Sequence, residues 1–198
     1  MKKVSIIGAT GYAGAELLRI LHNHPEAEVV HITSESHAGE AISDIYPHLK
    51  GIYDQKLMSM KDIETIGQDS DFVFIGLPHG HAMKVGKALE NMPTRIIDLG
   101  ADYRFNDTDI YEAWYKVPHT HKDAPRVYGL AELNREQIKD AEIIGNAGCY
   151  TTASILALAP LAKHHLIDVN TIVIDAKSGV SGAGRSAKQA NHFPELYD

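Results

Sequence analysis

The feature that most constrains the fold is a glycine-rich turn at the start of the chain. A short apolar run over residues 4–7 meets Gly8-Ala9-Thr10-Gly11-Tyr12-Ala13-Gly14. A helical pattern follows at once, with Leu17, Leu18 and Leu21 recurring at helical spacing and Pro25 as a stop. A strand that passes through glycines into a helix is the first half of a βαβ unit, which calls for a parallel sheet covered by helices. The rest of the chain repeats the alternation. Strands are expected at 28–33, 72–75, 95–99 and around 143–144, and helices at 12–24, from about 81 to 90 and at 134–140. Residues 105–129 are weakly patterned and read as a long connection with about one helical turn. An apolar stretch over 153–161 reads as a helix and 171–176 as a strand. The expected fold class is α/β. A Rossmann-type parallel-sheet domain fills residues 1–148, and the incomplete start of a second, α+β catalytic domain fills 149–198. That second part is too small to bury an independent core.

The spacing of Gly8, Gly11 and Gly14 is a variant of the dinucleotide fingerprint. Glycines permit the tight turn and let backbone N–H groups at a helix start approach a pyrophosphate. Thr10, Tyr12 and Ala13 share that turn. A residue after the second strand should reach the adenosine ribose, and there the chain reads Thr33-Ser34-Glu35-Ser36. Glu35 would favour NAD by binding ribose hydroxyls, or it is a solvated loop residue. Ser34 and Ser36 would hold a 2′-phosphate and favour NADP. No arginine or lysine stands beside them.

Cys149 is the single cysteine of the chain. It sits in Gly145-Asn146-Ala147-Gly148-Cys149-Tyr150, between an apolar strand and the apolar helix. A helix start has unpartnered N–H groups and favours negative charge, so a thiol there ionises more readily and is a candidate nucleophile. The other reading is a buried structural cysteine. One cysteine allows no internal disulfide, which fits a cytoplasmic location. The net charge of −7 argues against a nucleic-acid partner. No apolar run approaches a membrane span, and the first residues lack a signal-peptide layout. The twelve histidines include three close pairs, but none has zinc-ligand spacing, so no metal is expected.

These motifs together resemble the N-acetyl-gamma-glutamyl-phosphate reductase family, related to aspartate-semialdehyde dehydrogenase. The resemblance runs along the whole chain. It includes the Gly8–Gly14 turn, Leu77-Pro78-His79-Gly80, Asp98-Leu99-Gly100-Ala101-Asp102-Tyr103-Arg104 and Tyr128-Gly129-Leu130-Ala131-Glu132-Leu133. Its most specific piece is the turn into Cys149, and Ser178-Gly179-Val180-Ser181-Gly182-Ala183-Gly184-Arg185 completes the set. The resemblance implies NADP(H) as cofactor, an acyl phosphate as substrate, phosphate as the second small molecule, and Cys149 as the nucleophile that forms a thioester. It also implies a homo-oligomer in the full-length proteins and a general acid/base histidine beyond residue 198, so this chain is expected to carry part of the active site. His192 does not sit in that histidine's motif.

Pro78, Ser178, Gly179 and Gly182 are the further cofactor candidates on this resemblance. Arg104, just past a strand end, suits a carboxylate or phosphate; the alternative is an ion pair with Asp102 or Glu132. Asn146 assists an oxyanion or shapes the turn. Glu132 is a candidate lining residue. Two other readings stand beside the reductase: an aspartate-semialdehyde dehydrogenase-like enzyme, and a nucleotide-binding module without chemistry, in which Cys149 would be dispensable.

Overall fold

The computed structural model describes residues 1–186 and 188–196. Ala187, Tyr197 and Asp198 of the expected second domain lie outside the described residues. The chain divides into two compact units, Met1–Ala147 and Gly148–Asp198.

The first unit is a six-stranded parallel sheet with helices between its strands. In chain order it runs β1 (Lys2–Ile7), α1 (Tyr12–His22), β2 (Ala27–Thr33), α2 (Ile42–Ile45), α3 (Ile63–Asp69), β3 (Phe72–Ile75), α4 (Ala82–Ala88), β4 (Arg95–Asp98), α5 (Thr108–Tyr115), β5 (Val127–Gly129), α6 (Ala131–Asp140) and β6 (Ile143–Asn146). The strand order is β2-β1-β3-β4-β6-β5, and every pairing is parallel. The order reverses at β1, where the chain leaves for β2 on one side and returns to β3 on the other. The crevice beyond the carboxyl ends of β1 and β3 is where such sheets bind ligands.

Both faces of the sheet are buried. Val4, Ile6, Leu18, Leu21, Ile32 and Leu57 form one core layer, and Ile7, Ile66, Val73, Ile75, Val85 and Ile96 form the other. This is why the end of β1 reads as a near-continuous apolar run, interrupted by the buried Ser5, whose hydroxyl pairs with Ser70, rather than as an alternation. Each such side chain contributes about 1.5–3 kcal/mol by leaving water. Helix α1 stops two residues earlier than its pattern, with Asn23 as its C-cap. Pro25 biases His24 away from helical backbone, which accounts for the early stop.

The 105–129 segment is more ordered than its pattern. Asp107 caps α5 by accepting from the Asp109 N–H, and β5 adds a sixth strand at the sheet edge. Ile110, Tyr111, Trp114 and Tyr115 recur at helical spacing, with Tyr111 buried and Tyr115 stacked on it, while Ile110 and Trp114 stay exposed.

The second unit holds α7 (Cys149–Lys163) and short 3₁₀ turns. The strand expected at 171–176 does not form: Val169–Thr171 is a 3₁₀ turn, the residues beyond it have no regular structure, and Val173 is 92% exposed. A strand exists only as part of a ladder, and no extended partner lies among the described residues of this unit.

Candidate active site

The three glycines of the first turn have different physical reasons. Gly8 has φ +83°, and a Cβ there would lie 2.5 Å from the Gly76 carbonyl oxygen. Only glycine fits. A Cβ at Gly14 would lie 2.6 Å from both Ala9 Cα and the Gly8 carbonyl oxygen, so Gly14 lets α1 press against the turn. Gly11 is unlike them. It is the N-cap of α1 with φ −75°, and its Cβ would meet only the Gly8 carbonyl at an ordinary 3.5 Å. Nothing in the chain itself requires a bare backbone at Gly11. No side chain caps that end of α1, and its first turn carries no acidic residue. An uncapped helix start beside a bare backbone fits a phosphate.

A hydroxyl cluster borders this turn. Thr10 Oγ1 lies 3.0 Å from Ser34 Oγ, which lies 3.4 Å from Ser36 Oγ. The Tyr46 hydroxyl donates to the Thr10 carbonyl at 2.9 Å. The Thr33 hydroxyl accepts from the Gly8 N–H at 3.3 Å. Glu35 is an exposed loop residue, as one of its two readings had it, and its Oε1 also accepts the Met60 N–H at 2.6 Å, tying the loop after β2 to the chain 25 residues on. Tyr12 and Ala13 are exposed on the first turn of α1, and Pro78 is exposed in the loop after β3.

The turn after β4 is built around two buried carboxylates, Asp98 and Asp102. Asp102 accepts from the Gly80 N–H at 2.8 Å, the Ala82 N–H at 3.0 Å and the Tyr111 hydroxyl at 2.8 Å. It anchors the start of α4 rather than pairing with Arg104. Asp98 is fully buried at the end of β4. One of its oxygens accepts from the Gly100 N–H at 2.9 Å, and the other has no partner among the described residues. Burial pushes its carboxyl up to about 6, and the neighbouring Asp102 adds to the rise, against the opposing pull of the Gly100 N–H.

Arg104 makes neither of the ion pairs weighed for it. Its Nε donates to the Asn146 carbonyl at 2.8 Å and one Nη to the Leu99 carbonyl at 3.3 Å. It clips the turn after β4 to the end of β6. The two lie close because Gly145 has no side chain: a Cβ there would strike the Tyr103 carbonyl. Asn146 Nδ2 donates to the Ala147 carbonyl at 3.2 Å, which shapes the turn after β6. Glu132 lies exposed in the first turn of α6.

In the second unit, Cys149 is exposed and is the first residue of the fifteen-residue α7. The buried-cysteine reading therefore fails. Gly148 is the N-cap, no side chain caps the helix start, and the first turn has no acidic residue. Cys149 lines a cavity of about 350 Å³ with Tyr150, Ser154, Ile174, Lys177 and Ser178. Lys177, which the motif reading passed over, brings an ammonium group to that cavity and pairs with Asp175. Gly179 caps the 3₁₀ turn Val180–Ala183, and a Cβ at Gly182 would come within 2.8 Å of Ser178 Oγ. Among the described residues, no group of three histidine, cysteine or acidic side chains is placed to hold a metal ion.

The family model described as semialdehyde dehydrogenase, NAD binding domain, matches residues 3–141, and that of the semialdehyde dehydrogenase dimerisation domain matches 149–198. A curated protein of Pelotomaculum thermopropionicum named N-acetyl-gamma-glutamyl-phosphate reductase is 52% identical over 98% of this chain and 56% of its own length. One of the same name from Methanococcus maripaludis is 46% identical over 99% of this chain and 57% of its own length. The chain thus spans somewhat over half the length of the curated relatives it matches. Among solved structures, an aspartate semialdehyde dehydrogenase with NADP from Candida albicans superposes with a TM-score of 0.60 at 21% identity, over 82% of this chain and 47% of the other. At that identity the likeness speaks to the fold. The chain belongs to the semialdehyde dehydrogenase family, and within it resembles the N-acetyl-gamma-glutamyl-phosphate reductases.

Proposed function

We propose that this chain carries the nucleotide-binding and nucleophile-bearing part of an NADPH-dependent reductase that converts N-acetyl-gamma-glutamyl phosphate to its semialdehyde. The observation that carries the reading is the exposed Cys149 thiol at the uncapped start of α7, in a chain whose other unit is a parallel sheet with a bare, uncapped first turn. The thiolate is the reactive form of cysteine, and the positive end of a helix dipole stabilises it.

Cys149 Sγ attacks the acyl carbon, a C–S bond forms, and the C–O bond to phosphate breaks as inorganic phosphate leaves. The nicotinamide, when bound, supplies a hydride to the thioester carbon. The thiohemiacetal then collapses, the C–S bond breaks, and Cys149 regains its thiolate as the aldehyde departs. Splitting one hard displacement into two steps through a good leaving group is the logic of covalent catalysis. Backbone N–H groups at the start of α7 are donors for the developing oxyanion. Gly8, Gly11 and Gly14, with Thr10, Tyr12 and Ala13, would hold the pyrophosphate, and Pro78, Ser178, Gly179 and Gly182 the nicotinamide half. Arg104, Asn146 and Glu132 would act on the substrate side, Arg104 and Asn146 chiefly by fixing the turns after β4 and β6.

NADP is favoured over NAD. Glu35 Oε1 is held by the Met60 N–H, and the Ser34 and Ser36 hydroxyls lie beside Thr10. Neutral hydroxyl donors suit a 2′-phosphate. A homo-oligomer is the proposed assembly, supported by the match to a dimerisation domain. The proposed setting is the cytoplasm, where an exposed nucleophilic thiol stays reduced.

The test is acylation. Incubated with N-acetyl-gamma-glutamyl phosphate, the chain should gain one acyl adduct by intact mass and release phosphate, and Cys149→Ala should do neither. No adduct on the native chain, or the same adduct on the alanine variant, would sink the proposal.

A further inference from the structure

A cavity of about 370 Å³ lies in the first unit, at the amino ends of β4 and β6. Thr94 and Arg95 lead into β4 and Glu142 and Ile143 into β6, and all four line it. It therefore sits at the amino ends of parallel strands, whereas the Gly8–Gly14 turn sits at a carboxyl end. Two lining side chains carry buried polar atoms with no hydrogen-bond partner among the described residues: Thr94 Oγ1 and His121 Nε2. Thr94 is 8% exposed and His121 7%. Of the three such atoms among the described residues, the third being on Asp98, two belong to residues that line this one cavity, which calls for an explanation.

The chemistry of the cavity is specific. Tyr103 OH lies 2.8 Å from His121 Nδ1. Burial raises the Tyr103 phenol and lowers the His121 imidazole, so both are neutral near pH 7. With the phenol donating to Nδ1, the imidazole proton sits on Nε2 and is a donor. Glu90 Oε1, an acceptor on the same cavity, lies 3.8 Å from Nε2, beyond hydrogen-bond reach. The site thus offers a donor and an acceptor side by side, a hydroxyl, and apolar walls from Leu89, Met92, Ile96 and Ile143. Glu90 and Glu142 disfavour an anion. Arg95 does not reverse that, because its guanidinium donates to the Ala141 and Ile138 carbonyls and stacks on Phe72.

We propose that this cavity is a second small-molecule site, taking a neutral ligand whose carboxamide or lactam edge pairs with His121 and Glu90 and whose flat apolar body lies on Leu89, Met92 and Ile143. The carbonyl accepts from His121 Nε2–H, and the amide N–H donates to Glu90. The site is separate from the nucleotide turn and does not depend on the reductase reading. Through Tyr103 it touches the same turn that holds Asp98 and Arg104.

Benzamide is a suitable probe, and backbone amide spectra of the 198-residue chain report its position. Glu90, Thr94, Arg95 and His121 amides should shift and saturate at about 1–10 mM, the range open to a ligand of about nine non-hydrogen atoms. The amides of Gly11 and Ser34 should stay in place. The proposed ligand carbonyl has a second lone pair for the Thr94 hydroxyl, so Thr94→Val, which keeps the side-chain shape, removes one hydrogen bond and should weaken binding roughly 5-fold. His121→Phe should remove saturable binding. No saturable shift at these residues up to roughly 50 mM, far beyond that range, or unchanged binding in both variants, would overturn the proposal.

Discussion

The contrast between Gly11 and Gly14 yields the sharpest prediction. Gly14→Ala puts a methyl 2.6 Å from Ala9 Cα and from the Gly8 carbonyl oxygen, both backbone atoms that cannot swing aside. Overpacking of this kind costs about 1–3 kcal/mol. In a domain of this size each kcal/mol moves the melting temperature by about 2–4 °C, so Gly14→Ala should melt roughly 2–12 °C lower. Gly11→Ala puts its methyl at an ordinary 3.5 Å from the Gly8 carbonyl, with φ already −75°. Its cost is the poorer N-cap alone, about 0.5–1 kcal/mol. Yet that methyl stands where the pyrophosphate would approach, and NADPH affinity should fall at least about tenfold, or ~1.4 kcal/mol. Thermal melts by far-UV circular dichroism and NADPH titration by nicotinamide fluorescence separate the two effects. Native-like NADPH binding by Gly11→Ala would refute the claim that its bareness serves a ligand. A native melting temperature for Gly14→Ala would refute the steric argument.

Three further outcomes are expected. Ser34→Asp should lower the NADPH-to-NADH affinity ratio at least about tenfold, because it sets a carboxylate beside the hydroxyls of Thr10 and Ser36; an unchanged ratio would place the 2′-phosphate elsewhere. Cys149 should react with iodoacetamide at pH 7 faster than a cysteine in a short unstructured peptide, and equal rates would remove helix-start activation from the mechanism. Asp98 makes the pH dependence unusual for an aspartate: its folded value is raised to about 6 from 3.8, so the folded state binds the proton more tightly and stability falls as pH rises between those values. The loss is on the order of 3 kcal/mol, and Asp98→Asn should flatten it in denaturant melts at pH 4 and pH 7; an equal slope in the variant would show that other groups set it.

The first unit was legible wherever local pattern and tertiary need agree. The β1–α1–β2 run could be read because its strands are buried on both faces and its ends are marked by Gly8 and Pro25. Helix α5 was read as about one turn because it has only eight residues between irregular stretches, although Asp107 and Asp109 signalled its start and Ile110, Tyr111, Trp114 and Tyr115 recur at helical spacing. The three residues of β5 are too few to show any period. The glycine turn and Cys149 were legible as motifs. Asp102 was not, because its partners Gly80 and Ala82 lie 22 and 20 residues away, and nothing local marks it as an anchor.

The failed strand at 171–176 and the diverted Glu35 share one cause. Thr-Ile-Val-Ile has strong strand propensity, and Glu35 stands where a ribose ligand is expected, so each reading was sound for an isolated segment. Both were decided by the availability of a partner. The apolar segment has no ladder neighbour among the described residues of its unit, and propensity alone does not satisfy backbone N–H and C=O groups. Glu35 found the Met60 N–H, which holds one of its oxygens and fixes where its charge sits in the loop after β2. The proposed preference for NADP rests on hydroxyls at fixed distances from one another. A discrimination built that way is sensitive to geometry: a shift of the 33–36 loop that separates Ser34 from Thr10 would weaken it even with every side chain present.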